Sequence, residues 1–89
     1  MQKKRRKLNK DFEKKIYTSK KNDELVLAKI FDIDDEDIQK EYMSAFNEVV
    51  ELYEGLKMDY DQRGYNDNSE EILMNYKNAF NLFESEFEI

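Results

Sequence analysis

The longest unbroken apolar pattern in the chain runs from Ile38 to Leu56. Ile38, Tyr42, Ala45, Val49, Leu52 and Leu56 alternate steps of four and three residues, and Phe46, Val50 and Tyr53 widen the stripe. That spacing keeps apolar side chains on one side of a 3.6-residue helix and predicts an amphipathic helix of roughly five turns or more. A start signal precedes it. Asp34 is the expected N-cap, Asp35, Glu36 and Asp37 place acids in the positive first turn, and Ile33 is expected to pack on Ile38 as a staple. Gly55 weakens this helix and Gly64 is a natural stop. A second stripe, Ile72, Leu73, Tyr76, Ala79, Phe80, Phe83 and Phe87, predicts a last helix, with Asn68 and Glu71 spaced as a capping-box-like pair.

The segment before Asp34 reads two ways. Phe12, Ile16 and Tyr17 repeat at helical spacing, but Ile16-Tyr17-Thr18-Ser19 also suits a strand, and Asn22-Asp23 then reads as a hairpin turn or an N-cap. Residues 23–33 favour a helix, because the strand alternation would place Lys29 among Leu25, Leu27 and Phe31. The expected fold is all-α. It has a long helical hairpin (about 34–62 and 68–87) covered by one or two short N-terminal helices; the alternative is α+β with a β-hairpin in 12–31. Residues 1–8 are expected to form a disordered basic arm and 9–89 a single small helical domain.

Charge changes the picture more than composition does. Residues 1–21 hold ten Lys/Arg against Asp11 and Glu13, a net +8, whereas residues 22–89 hold five against nineteen acids, a net −14. The overall −6 therefore hides a basic arm on an acidic body, an asymmetry that suits binding to a partner of opposite charge. At 89 residues the chain has room for one domain, which buries only roughly 60% of its unfolded surface, so docking or self-association would add useful burial. The chain contains no Pro, Cys or His. Disulfides and thiolate metal sites are excluded, and the usual neutral-pH general base is missing. No apolar run approaches the roughly 20 residues of a membrane span, and no apolar stretch follows Lys7 as in a signal peptide. The expectation is a cytoplasmic, non-enzymatic chain with no cofactor and no metal. Its Lys-, Asn- and Asp-rich composition suits a low-GC bacterium, a phage or a mobile element.

Three segments carry candidate chemistry. Residues 59–70 resemble an EF-hand calcium loop. Asp59, Asp61, Gly64, Asp67 and Glu70 fall at positions 1, 3, 6, 9 and 12, but Arg63 puts a cation at position 5 and Asn66 stands at position 8. A solvated interhelical turn accounts for the same residues. Residues 24–41 resemble a helix-turn-helix core through Leu27, Ala28, Phe31, Ile33 and Ile38. Asp32 stands where the turn glycine belongs, and the would-be recognition helix opens on four carboxylates that oppose phosphate. The arm residues Lys3, Lys4, Arg5, Arg6 and Lys7 are the candidate phosphate contacts, sufficient for weak, salt-sensitive binding.

The carboxylates off the apolar stripes are Glu41, Glu48, Glu51, Asp59 and Asp61 on the long helix and Glu84 and Glu86 on the last. Few lysines balance them, so they form the candidate partner-binding set. The leading expectation is a protein-binding factor, an inhibitor or modulator, that lays this acidic, aromatic-bearing surface on a basic site of a larger protein; a nucleic-acid-binding site is one option, and the chain would then act as a DNA mimic. The alternative is a nucleic-acid accessory protein that uses the basic arm with a helix-turn-helix-like body. A third reading is a homo-oligomer whose apolar stripes complete each other's cores.

Overall fold

The computed structural model describes residues 7–89. They form three helices, α1 (Lys10–Phe31), α2 (Glu36–Arg63) and α3 (Ser69–Phe87), with no strand among the described residues. The class is all-α. Residues 12–31, where a β-hairpin was the alternative and short helices the main expectation, lie within one 22-residue helix. No Gly or Pro interrupts them. The polar residues in this stretch are held by one local and one long-range contact. Ser19 turns its hydroxyl back to the Lys15 carbonyl (2.9 Å), and Asp23 is bound by Tyr76 from α3. Asn9 caps the helix, its Oδ1 accepting from the Phe12 N–H (2.9 Å).

The caps of the other helices differ from expectation by small shifts with clear causes. Asp35, one residue later than expected, is the N-cap of α2, and its Oδ1 accepts from the Asp37 and Ile38 amides (2.9 and 3.1 Å). With Asp35 as N-cap, the N′ and N4 staple positions fall to Asp34 and Gln39 rather than Ile33 and Ile38, and Ile38 is 44% exposed. α2 stops at Gly64, whose φ of 73° and ψ of −165° lie in a region open in practice to glycine alone. Asn68 precedes α3 but its side chain makes no capping bond. The expected Asn68/Glu71 box is replaced by Asn66, whose backbone N–H donates to Ser69 Oγ (2.9 Å) and whose Oδ1 accepts from the Asn68 amide (2.9 Å).

The three helices pack in an up-down-up order. At one end of α1 the Tyr65 N–H donates to the Lys7 carbonyl (2.7 Å). At the other, the Gln39 side-chain amide donates to the Ile30 carbonyl (3.1 Å). α1 and α2 are therefore antiparallel along their length, and residues 24–41 do not form the crossed pair of a helix-turn-helix. Phe46 packs edge-on against Phe83 (5.8 Å between ring centroids) and Tyr53 against Tyr76 (6.1 Å), so α3 runs antiparallel to α2 and parallel to α1. The described chain is a rod of 58 × 20 × 18 Å. Each helix supplies four core residues: Phe12, Ile16, Val26 and Ile30; Phe46, Val49, Leu56 and Tyr60; Leu73, Tyr76, Phe80 and Phe83. α2 packs on both neighbours. α1 and α3 touch each other sparsely, which leaves a groove between them.

Candidate functional site

The expected acidic set separates into two kinds once folded. Glu41, Glu48 and Glu51 are all exposed on α2. At 100° per residue they fall within about 80° of one another and span about 15 Å of helix axis. Glu36, Asp37 and Glu54 extend the same solvent face, with Lys40 the cation among them. Only two ion pairs form among the described residues, Lys57–Asp61 (3.0 Å) and Arg63–Asp59 (3.2 Å), and neither involves these glutamates.

Asp59 is committed within the fold, whereas Asp61 is exposed and paired along its own helix. The Asp59 side chain is 15% exposed; it accepts from Arg63 Nη1 (3.2 Å) and from Asn66 Nδ2 (3.0 Å), and so ties α2 to the following turn. Asp61 pairs with Lys57, which raises the lysine's pKa. Glu86 accepts from the Tyr42 hydroxyl (3.2 Å), bridging the start of α2 to the end of α3. Burial and this carboxylate both hold the Tyr42 pKa up. Glu84 lines the α1/α3 groove instead of the α2 face.

The EF-hand resemblance does not survive folding. α2 stays helical through Arg63, so positions 1, 3 and 5 of the would-be loop lie on a helix, and Asp59 and Asp61 have separate intramolecular partners. No group of three or more His, Cys, Asp or Glu side chains is placed to hold a metal ion among the described residues.

Of the arm, Lys3, Lys4, Arg5 and Arg6 lie outside the described residues. Lys7 lies inside them, held through its carbonyl by Tyr65, with its Nζ 5.9 Å from the centre of the Tyr65 ring. The described residues thus include Lys7 and Leu8, which the sequence reading places in the 1–8 arm. Beyond it, the basic charge continues on a rigid element that the sequence reading did not single out. Lys10, Lys14 and Lys21 lie within about 40° on the outward ridge of α1, and Lys15 and Lys20 flank them, all exposed. Their helical spacing was the available signal. Tyr17 stands on the same ridge, 61% exposed, with Lys21 Nζ 5.6 Å from its ring centre.

Deeper between the helices, the Tyr76 hydroxyl reaches both the Asp23 carboxyl and the Ser19 carbonyl (3.1 Å to the latter). Burial, opposed in part by the Tyr76 hydrogen bond, pushes the Asp23 pKa up to about 6. Burial, with Asp23 adding to it, pushes that of Tyr76 upward as well.

No protein-family model matches the chain, and neither a curated protein nor a solved structure shows significant similarity to it. No helix among the described residues is long and apolar enough to cross a membrane.

Proposed function

We propose that this chain is a non-enzymatic protein-binding factor that lays the acidic outer face of α2 on a basic site of a larger protein and so blocks or modulates it. The observation that carries the reading is the row of Glu41, Glu48 and Glu51, exposed on one helix face and paired with no cation among the described residues. Surface carboxylates that served only helix stability would be interleaved with lysines at i+4. A predominantly acidic face held on a rigid helix favours fast, salt-sensitive association with an oppositely charged partner. The lack of His and Cys in the sequence supports a binding rather than a catalytic role. The contact set is narrower than the sequence suggested, since Asp59, Asp61 and Glu86 already have partners inside the fold.

The test compares the tagged chain with its Glu41→Gln/Glu48→Gln/Glu51→Gln variant in capture from nuclease-treated lysate at low and high salt. A basic protein retained at low salt, released at high salt and captured at least tenfold less by the variant supports the reading. Equal capture by both proteins overturns it.

A further inference from the structure

The groove between α1 and α3 has a chemistry distinct from the acidic face of α2. It encloses about 680 Å³. Lys14 and Lys15 on α1 and Lys77 on α3 line its walls, together with the amides of Asn22, Asn78 and Asn81. None of the three lysines pairs with a carboxylate, and none of the three amides has a hydrogen-bond partner, among the described residues. Asparagine is a poor residue for a helix interior, since its short amide competes with the backbone. Asn78 and Asn81 are exposed and Asn22 is half-buried, so all three amides are open to solvent and to a ligand in the groove. Tyr76 and Phe80 form the floor, and Tyr17 stands exposed on the adjoining ridge among Lys10, Lys14 and Lys21.

We propose that the α1/α3 groove and the lysine ridge beside it bind single-stranded nucleic acid. Lysines spaced along a rigid helix track a phosphodiester backbone. Amides that both donate and accept can meet unpaired base edges, and the exposed Tyr17 ring on the adjoining ridge gives a base a surface on which to stack, whereas Tyr76 and Phe80 are buried beneath the groove. The six-lysine run from Lys7 to Lys21 carries two acids, Asp11 and Glu13, and the Glu13 carboxylate is taken up by the Tyr60 hydroxyl (2.5 Å). Glu84 is the one carboxylate lining the groove, against three lysines.

The net negative charge of the chain does not oppose this assignment. The acidic face of α2 lies across a rod 20 × 18 Å in section. At physiological ionic strength the screening length is about 8 Å, so those carboxylates are screened from a ligand in the groove. This site is independent of the α2 face, and either can fail without the other.

The experiment measures anisotropy of a labelled 20-nucleotide oligo-dT and of a duplex of equal length, titrated with the full chain at 50 and 200 mM salt. Two triple variants remove the same charge: Lys14→Gln/Lys15→Gln/Lys77→Gln in the groove, and Lys29→Gln/Lys40→Gln/Lys57→Gln elsewhere. The groove variant is expected to bind oligo-dT at least tenfold more weakly, with its log–log salt slope shallower by about 2, as three lost phosphate contacts require. The other variant should stay within twofold of the parent. Asn78→Asp/Asn81→Asp, at exposed positions, is a second groove variant with the same expectation, and circular dichroism confirms that each variant keeps its helices. No binding by the parent at 50 mM salt overturns the proposal, as does an equal loss in both lysine variants. Duplex binding as tight as that of the single strand overturns it too.

Discussion

The Tyr76 hydroxyl carries one proton and faces two acceptors, the Asp23 carboxyl and the Ser19 carbonyl, at the contact between α1 and α3. With Asp23 ionised, Tyr76 can satisfy only one of them. With Asp23 protonated, the acid donates to the tyrosine oxygen and the tyrosine donates to Ser19, so every group is satisfied. Burial decides the balance: it lifts Asp23 to about 6 although the Tyr76 hydrogen bond by itself favours the carboxylate. The sign follows from linkage. The folded state holds the Asp23 proton more tightly than the unfolded chain, so this group's contribution is full below its ordinary value near 3.8 and declines as pH rises through about 6. Tyr53 on α2 and Tyr76 on α3 are the titratable groups facing it, and both have pKa values pushed above the usual tyrosine range. Asp23→Asn should therefore raise stability relative to the parent at pH 7.5 by about 1 kcal/mol, a figure discounted for the partial exposure of the carboxyl. The gain should shrink toward pH 4.5. Urea midpoints for both proteins across that range provide the check, and parallel curves would show that Asp23 does not titrate this way.

The two glycines predict opposite outcomes. Gly55 lies on the exposed outer face of α2, and a Cβ added there meets nothing within 4 Å. Gly55→Ala should stabilise the protein by about 1 kcal/mol, through helix propensity and a less flexible unfolded chain. Gly64, at φ 73° and ψ −165°, closes α2 and sits beside Lys7. Gly64→Ala should cost about 1–3 kcal/mol through backbone strain. Thermal melts of the two single variants suffice to compare them.

The two later helices were legible because nothing competes with their pattern. Their apolar stripes hold a helical period over many turns, and Gly64 supplies the stop, so α2 and α3 begin and end within two residues of the spans read from sequence. α1 was less legible because Ile16, Tyr17 and Thr18 also suit a strand and Asn22-Asp23 looks like a turn. Long-range contacts decide it: Tyr76 binds Asp23 from 53 residues away. The site was harder still. Glu48 and Asp59 share helical spacing and charge, and only the fold sets them apart. The lysines of α1 add to the charge of the N-terminal block in sequence, but they belong to a helix face. Tyr60 lay hidden in the calcium-loop resemblance, yet it is buried in the core.

Tyr60 ties the start of the described chain to the end of α2. Its hydroxyl accepts from the Asn9 N–H (2.9 Å) and donates to the Glu13 carboxylate (2.5 Å), while its ring packs 5.6 Å from that of Phe12. Tyr60→Phe keeps the ring and removes both hydrogen bonds, at an expected cost of about 1–2 kcal/mol. Phe12→Ala removes a side chain 1% exposed and its contacts with Tyr60 and Tyr65, at an expected cost of about 3–5 kcal/mol. Hydrogen exchange should show Tyr60→Phe loosening the first turn of α1 before the rest of the helix. Uniform loss of protection would mean that the contact supports the whole bundle instead.

Asp59 and Glu48 look alike in sequence and should behave unlike each other in solution. Asp59 accepts from Arg63 within its own helix and from Asn66 beyond it. Asn66 in turn donates to the Gly64 carbonyl (2.9 Å) and to Ser69 Oγ (2.9 Å), so the carboxylate is one member of the network that turns the chain from α2 into α3. Asp59→Ala leaves the Asn66 amide one acceptor short in a partly buried turn and should cost about 1–2 kcal/mol. Glu48→Ala removes an exposed side chain that makes no ion pair and should change stability by less than about 0.5 kcal/mol. The pair separates structural from binding carboxylates. Glu48→Ala should weaken capture of a basic partner in the α2-face assay while leaving the urea midpoint alone. Asp59→Ala should lower the midpoint and spare capture wherever the protein stays folded. A reversed pattern would place the contact surface at the α2–α3 turn rather than on the outer face of α2.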